Sequence, residues 1–386
     1  MSNDFRLTYE LEQHTPLIHF QHDQAGATLR ASEVKPKLDK FILKKLGGFD
    51  KVWETNKDWF VGVTEKTKKE EVKPALNYKL RFLCEDVRVY DVPKYSIYYG
   101  NMGNGANKAM FVTGKTKATV LCFIPELAEC IKKYIGEFFI CTNFGRMQGK
   151  GFGSFTVKGM SIGNVYQTLA EYCGAKACYS FCSNDTSNPV REDTFKEIKS
   201  LYSVIKSGTN FGVYTRSLLF RYFYDKSTGD KVSVGNEKRY MKNMGISPNV
   251  KKSTTYISPS PVVSQYKYTR ALLGVGERIE YIAGLDSYDK PKKGARGIEK
   301  EVVSISNDDI ERFSSPILFK VIGDTVYIVA KRIDSVIYGK AFTFKNEKTG
   351  NSDKIVTPSA TQFDIDEFMD YVYNNYKGKI RLQRRV

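Results

Sequence analysis

Between Asn143 and Val157 the chain reads NFGRMQGKGFGSFTV, a run of glycines and cations that leads from an apolar helix pattern into an apolar strand pattern. Glycine admits positive φ and leaves backbone N–H groups uncovered, so such a loop can wrap closely around an anion. Gly145, Gly149, Gly151 and Gly153 offer the close approach. Arg146 and Lys150 offer charge, and Phe144, Phe152 and Phe155 offer flat faces on which bases can stack. The chemistry indicated is the binding of a sugar–phosphate backbone. Two nucleotide-loop signatures are excluded. No Ser or Thr follows a GxxxxGK pattern, and a dinucleotide fingerprint runs from strand to helix, the reverse of this order. The competing reading is a long turn whose glycines only avoid clashes with a sheet.

Other candidates are weaker. His14, His19 and His22 lie close together, and His19 with His22 has the residue types for general acid–base work near neutral pH. Within the apolar run TPLIHFQ, however, a hydrogen-bonded structural histidine is the commoner outcome. No carboxylate or cysteine completes a metal set with them, so no metal site is expected. Asp23 and Asp50 are acidic loop residues without a local motif. RSLLFRYFYDK interleaves Arg216 and Arg221 with Phe220, Tyr222, Phe223 and Tyr224, a pattern that suits single-stranded RNA and suits a buried core at least as well. Gly274 and Gly276, beside Arg278, form a second and weaker glycine loop.

These residues need elements to hold them. FRLTYELEQ alternates as a strand, and SEVKPKLDKFILKKLGG reads as a helix with Ser32 as its cap and Gly47–Gly48 as its stop. Residues 50–75 are Lys-rich and read as a surface insertion. ALNYKLRFLCEDVRVYDV alternates, NMGNGANK is a loop, and AMFVTGKTKATVLCFI gives two short strands or one bent strand. PELAECIKKYIGEFF opens a helix at Pro125, and GSFTVKGMSI closes the series as a strand. The order strand–helix–strand–strand–helix–strand is the ferredoxin-like plan, so the fold class is α+β: a βαββαβ domain with a glycine-rich loop over residues 1–160. Residues 161–386 form a second α+β domain, for which another ferredoxin-like unit is one reading. In it, REDTFKEIKSLYSVIKSG and FDIDEFMDYVYNNY read as helices, and PILFKVIGDTVYIVAKRI reads as a hairpin turning at Gly323–Asp324. GVYTRSLLFRYFYD is helix or strand, DKPKKGARGIEKE a basic loop, and KGKIRLQRRV a basic tail.

Composition agrees with a polyanion partner. The 386 residues carry a formal charge of +17, of which +7 lies in residues 1–160 and +10 in the rest, so the excess belongs to the body of the chain. An apolar content of 41% is enough for real cores. The seven cysteines are scattered without a CxxC pair, which reads as reduced thiols. No basic-then-apolar leader opens the sequence and no apolar run approaches membrane length, so the expected location is the cytoplasm. No cofactor, small-molecule substrate or membrane partner is expected.

FGRMQGKGFGSFTV resembles the glycine-rich loop of the RAMP superfamily, the CRISPR-associated RNA-binding proteins. GATLRASEVKPKLDKF is similar to that family's lRpssiKGxLR segment and ERFSSPILFKV to its RRxSPLxxxv segment, both typical of the first-numbered RAMP subunit of the type III-B (Cmr) effector complex. Here Lys35-Pro36 stands for the family's Lys-Gly and Leu38-Asp39 for its Leu-Arg. The resemblance implies that Gly145, Arg146, Gly149, Lys150, Gly151 and Gly153 line an RNA path. It further implies that Arg30 and Lys35 contact RNA or fix the loop, and that Arg312 does similar work in the second domain. The implied partners are guide RNA, target RNA and other Cmr-type subunits. The alternatives are a RAMP endoribonuclease that processes guide precursor RNA and a scaffold subunit that binds no RNA.

Overall fold

The computed structural model describes residues 5–18, 28–91, 109–160, 163–211, 213–226, 234–247, 265–282, 293–294 and 297–385. NMGNGANK and residues 289–292 and 295–296 of DKPKKGARGIEKE lie outside the described residues, as do His19, His22 and Asp23. The fold is α+β with antiparallel sheets.

In the first sheet, β1 (Arg6–Gln13) lies between β4 (Phe155–Val157) and β3 (Lys115–Leu121), and β3 carries β2 (Lys79–Glu85) on its far side. All three pairings are antiparallel, with Tyr9 opposite Ala118 and Phe82 opposite the same alanine. Alternation sets the faces: Tyr9, Leu11, Ala118 and Val120 are buried, while Arg6, Thr8, Glu10 and Arg81 face solvent. Helices α1 (Ala31–Lys45) and α3 (Pro125–Cys141) cover the buried face.

Helix α1 begins two residues earlier than expected. Arg30, extended at φ −120°, occupies the cap position without a side-chain bond, so Ser32 lies inside the first turn. The Lys-rich segment is only partly surface. It forms α2 (Phe49–Thr55), and Val52, Trp59 and Phe60 are buried against the first core. A bend divides AMFVTGKTKATVLCFI into the strand Ala109–Val112 and β3.

The second four-stranded sheet comprises β5 (Cys178–Cys182), β6 (Ile317–Ile322), β7 (Thr325–Ala330) and β8 (Gln383–Arg385), in the order β6-β7-β5-β8 and again antiparallel. The hairpin turns at Gly323–Asp324 as expected, with Gly323 at φ +60°. Part of KGKIRLQRRV is strand: Arg384 pairs with Tyr179. Helix α4 (Val165–Cys173) precedes this sheet and α5 (Glu192–Lys206) follows its first strand. Then come α6 (Leu218–Asp225), α7 (Glu237–Asn243) and, after the hairpin, α8 (Ile365–Asn375).

Alternating residues of the second sheet enter different cores. Tyr179, Phe181, Phe319, Val321, Val326 and Ile328 pack with α5 and α8. Cys178, Leu318 and Val329 join the core beneath the first sheet, together with residues of α3 and α4. The layers therefore run sheet, helices, sheet, helices. A further antiparallel sheet, from strands Arg278–Ile282, Lys300–Ser306, Ala341–Asn346 and Ser352–Val356, extends the second core.

Candidate nucleic-acid interface

The glycine loop joins the C-terminus of α3 to β4, and what approaches it most closely is the protein itself. A Cβ on Gly153 (φ +64°) would lie 2.0 Å from the Phe144 carbonyl oxygen, and one on Gly145 (φ +73°) 2.6 Å from that of Ile18. Gly151 is packed by Val321 and Ile198 from the second unit, whereas Gly149 has nothing within 4 Å. The backbone N–H groups are used in the same way. Arg146 N–H donates to Ile18 O at 2.8 Å, Gly153 N–H to Pro16 O at 2.9 Å and Gly145 N–H to Glu33 Oε1 at 2.8 Å. Thus Gly145, Gly151 and Gly153 serve close chain packing, as in the competing reading of the sequence.

The loop also seals an edge. Strand β6 is the outer strand of its sheet, and Phe319 N–H donates to Gly149 O at 3.2 Å. Asn143 Nδ2 donates to Phe319 O at 2.9 Å and Ser154 Oγ to Val321 O at 2.5 Å. An open strand edge is thereby paired. The expected stacking rings take part in this packing: Phe144, Phe152 and Phe155 are buried, and Phe152 stacks on Phe195 at 3.7 Å. Hydrophobic burial beats exposure for all three, so none presents a face to a base.

Lys150 is also turned inward. Its Nζ is buried over the Tyr202 ring without a hydrogen-bond acceptor, and burial, with the charge of Lys206 nearby, pushes its pKa well below the usual lysine value. In this arrangement its ammonium does not face an RNA. Lys320, which is fully buried, behaves differently. It donates to Phe139 O (2.7 Å), Thr142 O and Phe155 O (both 3.1 Å), so it ties carbonyls at the end of α3 to the start of β4. Burial pushes its pKa down to about 7, a trend that the three carbonyls oppose because they favour the charged amine.

The cations left near the surface gather where the loop meets α1. Glu33, in the first turn, accepts from Gly145 N–H and from Lys37 Nζ at 2.8 Å, which ties helix and loop together. Lys37 reaches on to Gln148 Oε1 at 2.9 Å and lies over the Phe144 ring. Arg146 is exposed and Arg30 half-buried at the cap. Lys37 is the residue that sequence reasoning missed; its one-turn spacing from Glu33 was the available signal. Lys35 instead points to the other side, where it holds Asp39 Oδ2 (2.7 Å) and Leu76 O (2.8 Å).

The remaining candidates have structural partners. His14 is buried. Its Nδ1 accepts from Gly323 N–H at 3.3 Å, which leaves the proton on Nε2 to bond Thr156 Oγ1 at 2.8 Å. Burial, then the charges of Lys320 and Arg191, lowers its pKa to about 3, so it is neutral and joins the two units. Asp50 pairs with Lys69, and Arg312 with Glu277 at 2.5 Å. Phe220, Tyr222 and Phe223 are buried, the last two against Phe363, which removes them as base platforms. Gly274 closes a short turn over Thr269–Leu273, within which Arg270 is paired with the buried Glu237. Among the described residues no cluster of His, Cys, Asp or Glu could hold a metal ion.

Comparison with known families decides the relationship. The Cmr1 N-terminal domain matches residues 4–209 and the Cmr1 C-terminal domain matches residues 214–386. The chain belongs to the Cmr1 family. As a Cmr1 protein it is a subunit of a type III-B Cmr complex and associates with other Cmr subunits. The boundary between the two Cmr1 domains does not follow the sheets, because β5 lies in the N-terminal match while β6, β7 and β8 lie in the C-terminal one. No curated protein matches the chain. Among the described residues no helix is long and apolar enough to cross a membrane.

Proposed function

We propose that this subunit binds RNA in the cytoplasm, holding guide RNA, target RNA or both within a type III-B antiviral complex. We read its two sheets as two ferredoxin-like units, residues 1–160 and 161–386, because each follows the order strand–helix–strand–strand–helix–strand with the first strand between the third and fourth. The observation that carries the RNA reading is the Glu33 tie. It sets Arg146 beside the first turn of the helix that Arg30 caps and adds Lys37, a group of cations at a helix start, where a phosphate is favoured. Side-chain charge, not loop amides, would hold the backbone, and pairing between RNA strands would supply sequence specificity.

The test is binding of single-stranded RNA by the full chain across a salt series, wild type beside R30A/R146A. Removing two phosphate contacts should weaken binding and lower the slope of log affinity against log salt by about 1.4. Equal slopes and equal affinities for the two proteins would sink the proposal, as would absence of salt-sensitive binding by wild type.

A further inference from the structure

A cleft of about 950 Å3 opens between α1, the Gly47–Gly48 turn into α2, and the segment Lys73–Ala75. That volume lies at the upper end of the range for pockets that enclose small organic ligands. Its walls include Pro36, Leu43, Phe49 and Pro74. The half-buried ring of Phe49 is fixed from behind by Phe60, at 5.1 Å between centroids, and Trp53, at 6.0 Å. A flat apolar surface held in this way suits a planar ring.

Around this apolar surface stand four lysines, Lys35, Lys40, Lys44 and Lys73, against a single acid, Asp39. Their tasks differ. Lys35 neutralises Asp39, and Lys44 donates to Tyr172 O at 2.6 Å. Lys40 belongs to the α1 wall and Lys73 to the Lys73–Ala75 wall; both are exposed and have no hydrogen-bond or ion-pair partner among the described residues. Two like charges facing one cavity repel, and an anion between them removes that repulsion.

We infer that this cleft binds a nucleoside phosphate, the base against Phe49 and the prolines and the phosphate between Lys40 and Lys73. An inorganic anion would leave the apolar walls without a partner, and an uncharged ring would leave the two ammonium groups without one. A nucleotide satisfies both. The same chemistry is presented by a free nucleotide and by the phosphorylated end of an RNA chain. Residues 143–154 contribute nothing to the cleft, so the inference stands apart from the RNA path proposed above, which has its own variant.

The experiment is calorimetric titration of the full chain with ADP, adenosine and inorganic phosphate. Short RNA oligonucleotides with and without a terminal phosphate follow. ADP should bind about tenfold or more tighter than adenosine or phosphate, and K40E/K73E should weaken it by about tenfold or more. R81E/K115E, which makes the same change of charge on the outer face of the first sheet, should leave ADP affinity as it is. Tighter binding of the end-phosphorylated oligonucleotide than of ADP would identify an RNA end as the occupant, and the reverse order a free nucleotide. Equal affinities for ADP and adenosine would overturn the inference. So would ADP or RNA-end binding that K40E/K73E does not change, or absence of saturable binding by both ADP and the phosphorylated oligonucleotide.

Discussion

The two four-stranded sheets share an order of strands and differ in what lies against them. On the first, Thr8, Arg81 and the half-exposed Leu83 occupy a face that meets solvent. On the second, Leu318 and Phe319 are neighbours in sequence, yet one enters the core of the first unit and the other a core of its own. One topology thus supports an open platform and a buried partition. Side-chain pattern makes the difference: RLTYELEQ alternates, whereas ILFKVI and TVYIVA are largely apolar and bury residues on both faces.

The contrast breaks most sharply under a buried charge. Val329→Asp places a carboxylate between the sheets and should cost about 4 kcal/mol or more, while Thr8→Asp on the open face should stay within about 0.5 kcal/mol. Urea unfolding of the two variants measures the gap, and similar values would mean that the second sheet is not covered as described. A smaller effect tests the loop that closes the partition. Gly153→Ala meets a carbonyl at 2.0 Å and a strained φ, so about 3 kcal/mol should be lost, against less than about 1 kcal/mol for Gly149→Ala. Comparable midpoints for these two would deny the loop its sealing role.

The smallest effect concerns acid. The folded-state pKa of His14 lies at about 3 and its unfolded value near 6.5, so between those values only the unfolded chain takes up this proton. Stability therefore falls as pH drops through that window, by up to about 1.4 kcal/mol per pH unit. Of the facing charges, Arg191 keeps its own across this range, and Lys320, whose pKa lies at about 7, is charged over most of it, so both oppose protonation of His14. His14→Gln should be less stable at pH 7 and should lose about 2 kcal/mol less than wild type between pH 7 and pH 5. Parallel losses would mean that His14 is protonated in the fold.

Much of the framework was legible. Pro125, the stripe of Phe195, Ile198 and Ile205, and the turn at Gly323–Asp324 each mark an element by local chemistry, and local chemistry is what a sequence displays. The site was less legible because its facts are long-range. Nothing near Gly153 announces that Leu17 and Phe144 O crowd it, and nothing near Lys150 announces Tyr202. Tyr222 and Phe223 look like base platforms until Phe363, some 140 residues on, covers them. The strand at Gln383–Arg385 was hidden for another reason: its three residues are all exposed, so hydrophobic periodicity is silent there.

Phe181 of β5 lies opposite Val326 of β7, roughly 145 residues further along the chain. During synthesis at about 5–20 residues per second, the first strand of the second sheet waits about 7 to 30 seconds for its neighbour. Over that interval Tyr179 and Phe181 have no sheet to enter, although residues 1–160 have already been made. The partition therefore belongs to the last stage of the chain's birth, and a chaperone that shelters residues 178–182 in that interval would raise the yield of folded protein more than one acting on the first 160 residues.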